Sequence, residues 1–486
     1  MEPLKICFVS SEVAPFAKTG GLADVAGALP PELARQGHDV RIVMPLYSKI
    51  DFEAMDVTAV SFIQHVPVDF GPHRFHFTAF TTQLPDSEVD VYFIGCPQLY
   101  DREGIYTGEW DEHLRYAMLC RGAIECCQRM GWGPDVFHCN DWHTALIPLY
   151  LRTLYSWDRL FEHTKTVLTI HNIAYQGWFP SEVVGNLGLS PYSWLLHQED
   201  LQRGVVNYLK TGILYADVVT TVSRTYAKEI QTEAFGNGLQ HVLRQRGGSV
   251  MGIVNGIDDG VWNPEIDPAL HRNYGVDDVA EGKAANKAYL LEQMGLPYDP
   301  AAPVFGVVSR LTPQKGFEIT QEAMIEALRY LNIRFVVLGS GEPGLEGHFT
   351  WLQNTFPNKV CYYRGYHEKL AHQIEAGADI FVMPSRFEPC GLNQMYSLRY
   401  GTVPIVRKTG GLADTVSLYD PRSGEGTGVV FDHYDDAGFA WGLKTALRWY
   451  QDPETWARVR RNGMLQDHSW GRQAGEYVGL YRRLTS

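Results

Sequence analysis

Short apolar segments alternate with longer stretches of mixed character along almost the whole chain. The apolar segments are rich in Val and Ile and have the length of strands, and the stretches between them are long enough to hold helices. Strands of a parallel sheet are continuously apolar because helices cover both faces of the sheet. The pattern therefore predicts an α/β protein built on parallel sheets.

The predicted strands form two groups. They cover residues 6–9, 41–44, 91–94, 136–138, 167–170 and 218–222 in the first half, and 304–309, 334–338, 360–363, 380–383, 403–406 and 429–431 in the second. A stretch rich in Pro, Asp and Asn at 263–303 separates them and contains a helical patch near 284–294. We predict an N-terminal Rossmann-like domain over 1–252 and a C-terminal one over 253–470. The amphipathic pattern at 473–484 predicts a helix within 471–486 that crosses back to the first domain.

Composition and charge narrow the possible partners. The 486 residues carry a formal net charge of −14, which argues against nucleic acid or an anionic membrane. No apolar run reaches the ~18–20 residues that span a bilayer. The N-terminus lacks a secretory signal pattern. The eight cysteines form no C-x-x-C motif and fit a reducing compartment. We expect a cytoplasmic protein, or one of the plastid stroma if the source is a plant or alga.

One heptapeptide, Lys-Thr-Gly-Gly-Leu-Ala-Asp, occurs at residues 18–24 and again at 408–414. Each copy follows a strand-like segment and precedes helix-compatible residues. A glycine pair lets the backbone approach a ligand closely, and the N-terminus of a helix presents N–H groups to an anion. The neighbouring lysine adds a positive charge. The repeat therefore suggests two similar halves, each able to hold a polar ligand at the carboxyl edge of a strand.

Two further segments follow predicted strands of the second half. Arg310 and Lys315 lie in a turn with Pro and Gly, where two cations could neutralise a diphosphate. Glu388 lies in the segment Arg-Phe-Glu-Pro-Cys-Gly-Leu-Asn, where its carboxylate could bind sugar hydroxyls. The alternatives are solvated surface charge for the two cations and a simple helix N-terminal anion for Glu388.

In the first half, histidine and acidic side chains follow two strands. His138, Asp141 and His143 could ligate a metal, but their spacing matches no standard zinc pattern. Asp141 fits better as a carboxylate lining a cleft. His171 follows the strand at 167–170 and is either catalytic or structural. Loop aromatics could stack on sugars or pack their own loops; they are Tyr100, Tyr106, Trp110, Tyr175, Trp178 and Phe179.

The segment Gly-Ser-Gly-Glu-Pro-Gly at 339–344 matches the dinucleotide fingerprint G-x-G-x-x-G. The fingerprint normally follows the first strand of a Rossmann domain, whereas this copy follows the second strand of its half. The turn after the first predicted strand of this half instead contains Arg310 and Lys315. We therefore assign this loop to the same nucleotide site and keep a nicotinamide enzyme as a minor alternative.

Together these motifs resemble, in order and over nearly the whole chain, the bacterial glycogen synthase and plant starch synthase family. The resemblance implies a GT-B architecture, with two Rossmann-like domains facing across a cleft. It implies transfer of glucose from ADP-glucose to the non-reducing 4-hydroxyl of an α-1,4-glucan, with retention of configuration. No metal and no organic cofactor are expected, and oligomeric state stays open.

The resemblance also assigns roles to individual residues. Those expected in catalysis are Glu388, His171, Arg310, Lys315 and Asp141. The donor-binding residues would be Lys18, Gly20, Gly21, Arg310, Lys315, Tyr366, Glu388, Cys390, Gly391 and Leu392, with Tyr366 stacking on adenine. Those expected to bind the acceptor are Tyr100, Asp141, Asn172 and Tyr175.

One position departs from the family pattern. The E-x7-E element would place a second Glu at residue 396, where this chain has Tyr396. Three alternatives remain open beside the main reading. They are a related retaining enzyme that uses UDP-glucose, a catalytically silent glucan-binding protein, and the nicotinamide enzyme.

Overall fold

The computed structural model describes residues 2–51 and 55–486. The chain divides into two compact units. The first comprises Met1–Gly256 together with Trp470–Ser486, and the second comprises Ile257–Ser469. Within the described ranges, no helix is both long and apolar enough to cross a membrane.

The described strands are β1 (Lys5–Val9), β2 (Asp39–Pro45), β3 (Thr58–Ala59), β4 (Val66–Phe70), β5 (His73–Gln83), β6 (Asp90–Gly95), β7 (Val136–Asn140), β8 (Lys165–Ile170), β9 (Trp178–Pro180), β10 (Val205–Asn207), β11 (Val218–Thr221), β12 (Val250–Gly252), β13 (Val304–Val308), β14 (Arg334–Gly339), β15 (Val360–Arg364), β16 (Ile380–Met383), β17 (Val403–Arg407) and β18 (Val429–Phe431).

The described α-helices are α1 (Gly21–Arg35), α2 (Pro97–Tyr100), α3 (Glu112–Arg129), α4 (Ile147–Arg152), α5 (Val183–Asn186), α6 (Gln198–Gln202), α7 (Tyr208–Tyr215), α8 (Arg224–Glu229), α9 (Gln240–Gln245), α10 (Val279–Gln293), α11 (Gln321–Tyr330), α12 (Pro343–Thr355), α13 (Glu368–Gly377), α14 (Asn393–Arg399), α15 (Gly410–Thr415), α16 (Asp436–Tyr450), α17 (Pro453–Met464) and α18 (Trp470–Thr485). Short 3₁₀ helices include Trp142–Thr144 and Pro313–Lys315.

The sheet of the second unit is wholly parallel and has the order β15-β14-β13-β16-β17-β18. Numbered along this unit, the strands run 3-2-1-4-5-6, which is the Rossmann order. Successive strands are added toward one edge of the sheet up to β15 and toward the other edge from β16 onward, so the topological switch point lies between β13 and β16. Ligands of such sheets bind beyond the carboxyl ends of the strands at this switch point. We therefore expect a site at the segments that follow β13 and β16.

The sheet of the first unit has the order β12-β11-β8-β7-β1-β2-β6-β5-β3, with β4 paired to β5. The strands from β12 to β6 are parallel, and their switch point lies between β1 and β7. The predicted α/β class with two Rossmann-like domains is confirmed.

One edge of this first sheet was not predicted. Strands β3, β4 and β5 pair in antiparallel fashion, and β5 joins them to β6. In β4, buried and exposed residues alternate strictly, as is usual for a strand with one face in solvent. The sequence analysis missed these strands, because a search for continuous apolar segments does not detect alternating strands.

Helix α18 packs on the first unit. Its apolar face contributes Trp470, Ala474, Tyr477, Leu480 and Tyr481 to the core that also contains β1 and β7. The Tyr481 hydroxyl lies 2.7 Å from Nδ1 of the buried His138. The last helix is therefore part of the hydrophobic core of the N-terminal unit.

Candidate active site

The switch point of the second unit brings together two of the predicted residues. Lys315 ends a 3₁₀ helix after β13, and Glu388 lies in the loop after β16. The Lys315 ammonium lies 2.7 Å from Glu388 Oε2, and the Ser385 hydroxyl donates to the same oxygen at 3.0 Å. Glu388 is only 5% exposed. Because Ser385 and Lys315 both engage one oxygen, the carboxylate is held in a fixed orientation.

Several neighbours fix the backbone of the loop that contains Glu388. The Arg407 guanidinium donates to the carbonyl oxygens of Ser385 and Arg386, at 3.0 and 2.5 Å. The Gln394 amide donates to the carbonyls of Cys390 and Gly391, at 3.1 and 2.9 Å. Sequence analysis missed Ser385, Arg407 and Gln394, because polar side chains that act on a loop backbone belong to no catalytic motif.

The second heptapeptide packs directly against this same loop. The Gly411 N–H donates to Glu388 O at 3.0 Å. A Cβ on Gly410 would overlap with Glu388 O, and one on Gly411 would overlap with Cys390 O. Gly410 also has a left-handed φ of 44°, which glycine adopts without strain. These glycines therefore let a protein loop approach closely.

Arg310 is exposed, and its guanidinium has no ionic partner among the described residues. The backbone around it packs on the G-x-G loop. A Cβ on Gly339 would overlap with Ser309 O, and one on Gly341 would overlap with Leu311 O. The Gly341 N–H donates to the Glu346 carboxylate at 2.9 Å. The glycines of this loop thus accommodate the turn that carries Arg310.

The remaining predicted donor residues lie on loops of the same unit. Cys390 is buried, and Gly391 has a φ of 74°. Leu392 directly precedes α14 and Tyr366 lies in the loop between β15 and α13. Tyr366 is 67% exposed. The structure therefore places Cys390, Gly391 and Leu392 beside Glu388, and Tyr366 after a different strand.

In the first unit, a residue absent from the predictions organises the heptapeptide. Glu12 follows β1 and is 3% exposed. Its carboxylate accepts from the Thr19 N–H, from the Thr19 hydroxyl at 2.7 Å and from the Gly20 N–H at 3.3 Å. It also accepts from the Tyr106 hydroxyl. The N–H groups of Thr19 and Gly20, which directly precede α1, therefore bind a carboxylate of the protein.

The predicted donor residues of the first unit, Lys18, Gly20 and Gly21, belong to this heptapeptide. Lys18 Nζ lies 2.6 Å from Asp24 Oδ1, and the Lys18 side chain is 46% exposed. A Cβ on Gly20 or Gly21 would meet no heavy atom of the described residues within 4 Å. The space beside both glycines is open, in contrast to that beside Gly410 and Gly411.

Asp141 and His171 lie at the carboxyl ends of the adjacent strands β7 and β8. Asp141 Oδ1 accepts from the His171 N–H at 2.7 Å and from the Asn172 N–H at 3.4 Å. Burial raises the pKa of Asp141 to about 7; these two N–H groups oppose the shift, and the nearby Glu12 adds to it. Asp141 has a φ of 54°, a conformation that costs ~1–3 kcal/mol outside glycine.

The hydrogen bonds around His171 identify its tautomer. The Asn140 amide group donates to Val9 O at 3.0 Å, so its Oδ1 is the acceptor toward His171 Nε2 at 2.9 Å. Nε2 therefore carries the proton, and Nδ1 keeps a lone pair. Burial lowers the pKa of His171 to about 3. The ring is neutral at physiological pH and can accept a hydrogen bond at Nδ1.

The predicted acceptor residues differ in accessibility. Tyr100 ends α2, has no exposed surface and donates its hydroxyl to Arg115 O at 2.6 Å. Its ring cannot meet a ligand, so the sequence interpretation of Tyr100 as a loop aromatic is corrected to a core residue. Asn172 is half-buried, and Tyr175 is 58% exposed. In the described part of the chain, no group of three His, Cys, Asp or Glu side chains is arranged to hold a metal ion.

Two family models match the chain. The model for the starch synthase catalytic domain matches residues 5–245, and the model for glycosyl transferases group 1 matches residues 296–464. Curated relatives match along almost their full length. A glycogen synthase of Desulforudis audaxviator is 46% identical over 99% of this chain and 96% of the relative. One of Koribacter versatilis is 45% identical over 99% of this chain and 98% of the relative.

Two solved structures resemble this chain to different degrees. The catalytic domain of starch synthase IV from Arabidopsis thaliana, bound to ADP and acarbose, superposes with a TM-score of 0.91. The two sequences are 34% identical, and the superposition covers 100% of each chain. A sucrose-phosphate synthase from Thermosynechococcus elongatus covers 99% of this chain and 98% of its own, with a TM-score of 0.59 at 17% identity. That likeness shows the fold alone.

Proposed function

The chain belongs to the glycogen synthase and starch synthase family of glycosyltransferases, and from this premise we propose its donor, acceptor and stereochemistry. It transfers glucose from ADP-glucose to the non-reducing 4-hydroxyl of an α-1,4-glucan, with retention of configuration. The ADP bound to the starch synthase IV relative supports an adenine nucleotide donor. No metal or organic cofactor takes part in the proposed reaction.

The observation that carries this proposal is the contact between Lys315 and Glu388 at the switch point of the second unit. A Lys315 ammonium has three donor hydrogens, of which one serves Glu388, and the others can bind phosphate. Arg310, exposed beside the same strand, supplies the second positive charge. Together these two cations stabilise the departing diphosphate, while the Glu388 carboxylate accepts hydrogen bonds from glucose hydroxyls.

Loss of a diphosphate leaving group requires charge stabilisation more than a protein nucleophile. We propose that the leaving phosphate itself removes the proton of the incoming hydroxyl on the same face of the sugar, which yields retention without the two flanking carboxylates of hydrolases. Neutral His171 accepts a hydrogen bond from a glucose hydroxyl through Nδ1. Asp141 acts on the reaction indirectly, because its carboxyl group fixes the backbone of His171 and Asn172.

In the first unit, we propose Lys18, Gly20 and Gly21 as donor contacts. The open space beside both glycines supports this assignment. Tyr366 remains the proposed adenine contact, and Asn172 and Tyr175 remain proposed acceptor contacts because both reach the surface.

The test is incubation of the protein with ADP-glucose and maltooligosaccharides. We expect ADP release to match chain elongation, and proton NMR of the first turnovers to show α-anomeric products. Parallel reactions with UDP-glucose measure donor choice. Equal turnover efficiency with both donors would overturn the donor assignment, and absence of ADP release would favour a silent glucan-binding protein.

Matched variants test the roles of the residues. Lys315→Ala and Arg310→Ala each should lower turnover by about 10²–10³-fold, since loss of one charge-stabilising group has about that effect. Glu388→Gln should lower turnover while ADP affinity, measured by calorimetry, changes little. Loss of ADP binding by Glu388→Gln would place this carboxylate at the nucleotide instead of the sugar.

A further inference from the structure

Three aromatic rings form a parallel stack in the second unit. The Trp262 ring lies between those of His372 and Tyr396, with centroids 3.7 and 3.8 Å away and interplanar angles of 9° on both sides. Trp262 belongs to the segment that begins this unit, His372 to α13 and Tyr396 to α14. The stack therefore connects three separate parts of the chain through their side chains.

A buried carboxylate fixes one end of the stack. Asp267 Oδ2 lies 2.7 Å from His372 Nδ1 and accepts from the Tyr400 hydroxyl at 2.6 Å. Burial acts to raise the pKa of Asp267, but the hydrogen bonds from His372, Tyr400 and the Ala269 N–H outweigh it and lower the pKa. The carboxylate is thus ionised, His372 donates to it through Nδ1, and the plane of the imidazole ring is fixed.

Further contacts attach α14 to the same framework. Arg399 donates to Asn263 Oδ1 at 2.8 Å, and the Ser397 hydroxyl donates to Glu375 Oε2 at 2.7 Å. Tyr396 is the middle residue of α14, and Ser397 and Arg399 lie in its last three residues. The N-terminus of α14 is continuous with the loop from Glu388 to Leu392. Because α14 has only seven residues and directly follows Leu392, a change in its orientation moves the end of the loop.

We propose that Tyr396, through its stack on Trp262, is a positioning residue that sets the orientation of α14 and hence of the Glu388 loop. This inference rests on the proposed role of Glu388. It gives a function to the position where the family pattern would allow a second carboxylate. The aromatic ring acts at a distance from the substrate, by contact with Trp262, and requires no hydroxyl group of its own for the stack.

The stack can be tested with paired substitutions. Tyr396→Leu and Trp262→Leu each remove one stacking face, whereas Tyr396→Phe keeps it. We expect kcat to fall by about 10–10²-fold in both Leu variants, because small misplacements of a catalytic group have effects of that order. The acceptor KM and the ADP affinity should stay within about threefold of the wild type, and Tyr396→Phe should retain most of the activity.

The double variant distinguishes positioning from general stability. If the stack is the common cause, Tyr396→Leu combined with Trp262→Leu lowers kcat little more than either change alone. Trp351→Leu and Tyr330→Leu serve as controls, since both replace exposed aromatics of the same unit. Tyr396→Glu tests whether a carboxylate can replace the ring; near-normal kcat in that variant would overturn the proposal.

Hydrogen exchange supplies a readout that does not depend on activity. The N–H groups of Arg386 and Gly411 bond to Gln314 O and Glu388 O, respectively. Both should exchange at least tenfold faster in Tyr396→Leu and in Trp262→Leu, and at the wild-type rate in Tyr396→Phe and in the controls. Unchanged exchange together with unchanged kcat would refute the positioning role.

The outcomes separate this inference from the proposed function. If the wild type releases no ADP from ADP-glucose, the proposed function fails while the exchange measurement still decides whether the stack holds the loop. If Tyr396→Leu does not fold, Trp262→Leu carries the test, because Trp262 is partly exposed. Normal kcat in folded Trp262→Leu would be decisive against the proposal.

Discussion

The two copies of Lys-Thr-Gly-Gly-Leu-Ala-Asp have the same sequence and different surroundings. In the first copy, the loop backbone binds the Glu12 carboxylate and the space beside Gly20 and Gly21 is open. In the second copy, Gly410 and Gly411 press against the backbone of the Glu388 loop. One copy borders open space, and the other supports a neighbouring loop of the protein.

The difference shows what a glycine pair determines by itself. Absence of Cβ allows close approach, but the approaching group depends on the neighbouring strand. In the second unit that neighbour is the loop after β16, which carries Glu388. In the first unit, the residue that binds the loop is Glu12, which lies in the connection between β1 and α1. The motif therefore predicts proximity and leaves the partner undetermined.

The largest expected effect comes from glycine substitutions at matched positions. Gly411→Ala should destabilise the protein by about 3 kcal/mol, the upper end of the usual cost of overpacking, because overlap with Cys390 O forces backbone shifts in a packed core. Gly21→Ala should change the free energy of unfolding by less than about 1 kcal/mol, since the first residue of α1 gains helix propensity and meets open space. Denaturant titration measures both. Similar losses of stability would remove the distinction between the copies.

The lysines of the two copies provide the second test. Lys18→Ala should lower turnover by about 10²-fold if this ammonium serves the donor. Lys408 pairs with Asp432 at 3.5 Å, and both side chains are more than 60% exposed. Lys408→Ala should therefore leave turnover within about twofold. Steady-state kinetics with ADP-glucose decide, and a large effect of Lys408→Ala would show that the copies are functionally equivalent.

The free energy of unfolding is expected to depend on pH through Asp141 of the first unit. Burial raises the pKa of Asp141 to about 7 in the folded protein, whereas an exposed aspartate, as in the unfolded chain, has a pKa of 3.8. Between these values the folded state holds a proton that the unfolded state has lost, so this carboxyl's contribution to stability falls as pH rises. Asp141→Asn keeps the Oδ1 acceptor without the titration. From pH 5 to pH 7, the variant should gain about 2 kcal/mol relative to the wild type.

Thermal unfolding of wild type and Asp141→Asn at these two pH values measures the difference. The control is Asn172→Ala, which removes a neighbouring side chain that does not titrate, leaves the Asp141 carboxyl group and the backbone N–H groups that it accepts in place, and should keep the wild-type slope between pH 5 and 7. A parallel pH dependence in Asp141→Asn and the wild type would mean that Asp141 titrates normally.

The smallest expected effect concerns Glu12. Glu12→Gln keeps an oxygen acceptor but loses the charge that binds the Thr19 and Gly20 N–H groups. We expect a loss of about 1 kcal/mol in stability, because a hydrogen bond to a charged group contributes about that much more than one between neutral groups. Faster hydrogen exchange should be confined to the loop at 18–21. If exchange at that loop is unchanged, Glu12 does not hold it.

Much of the fold could be predicted because buried strands have a strong local pattern. The strand predicted at 380–383 is β16 in the structure, and that at 429–431 is β18. Others differ by one or two residues at an end, as with 136–138 and β7. The alternating strands β4 and β5 were missed, since their polar positions interrupt the apolar pattern.

The sequence by itself determined the fold class, the family and the strand ends at which Arg310, Lys315 and Glu388 lie, because periodicity and ordered motifs are local properties of the chain. Only the tertiary structure decided which atoms meet. In the structure Lys315 contacts Glu388, and the Glu12 carboxylate binds the backbone of the first heptapeptide. Tyr100 lies in the core, and Tyr396 stacks on Trp262. These contacts join residues distant in sequence or depend on side-chain direction, and both follow from the packing of strands and helices in three dimensions.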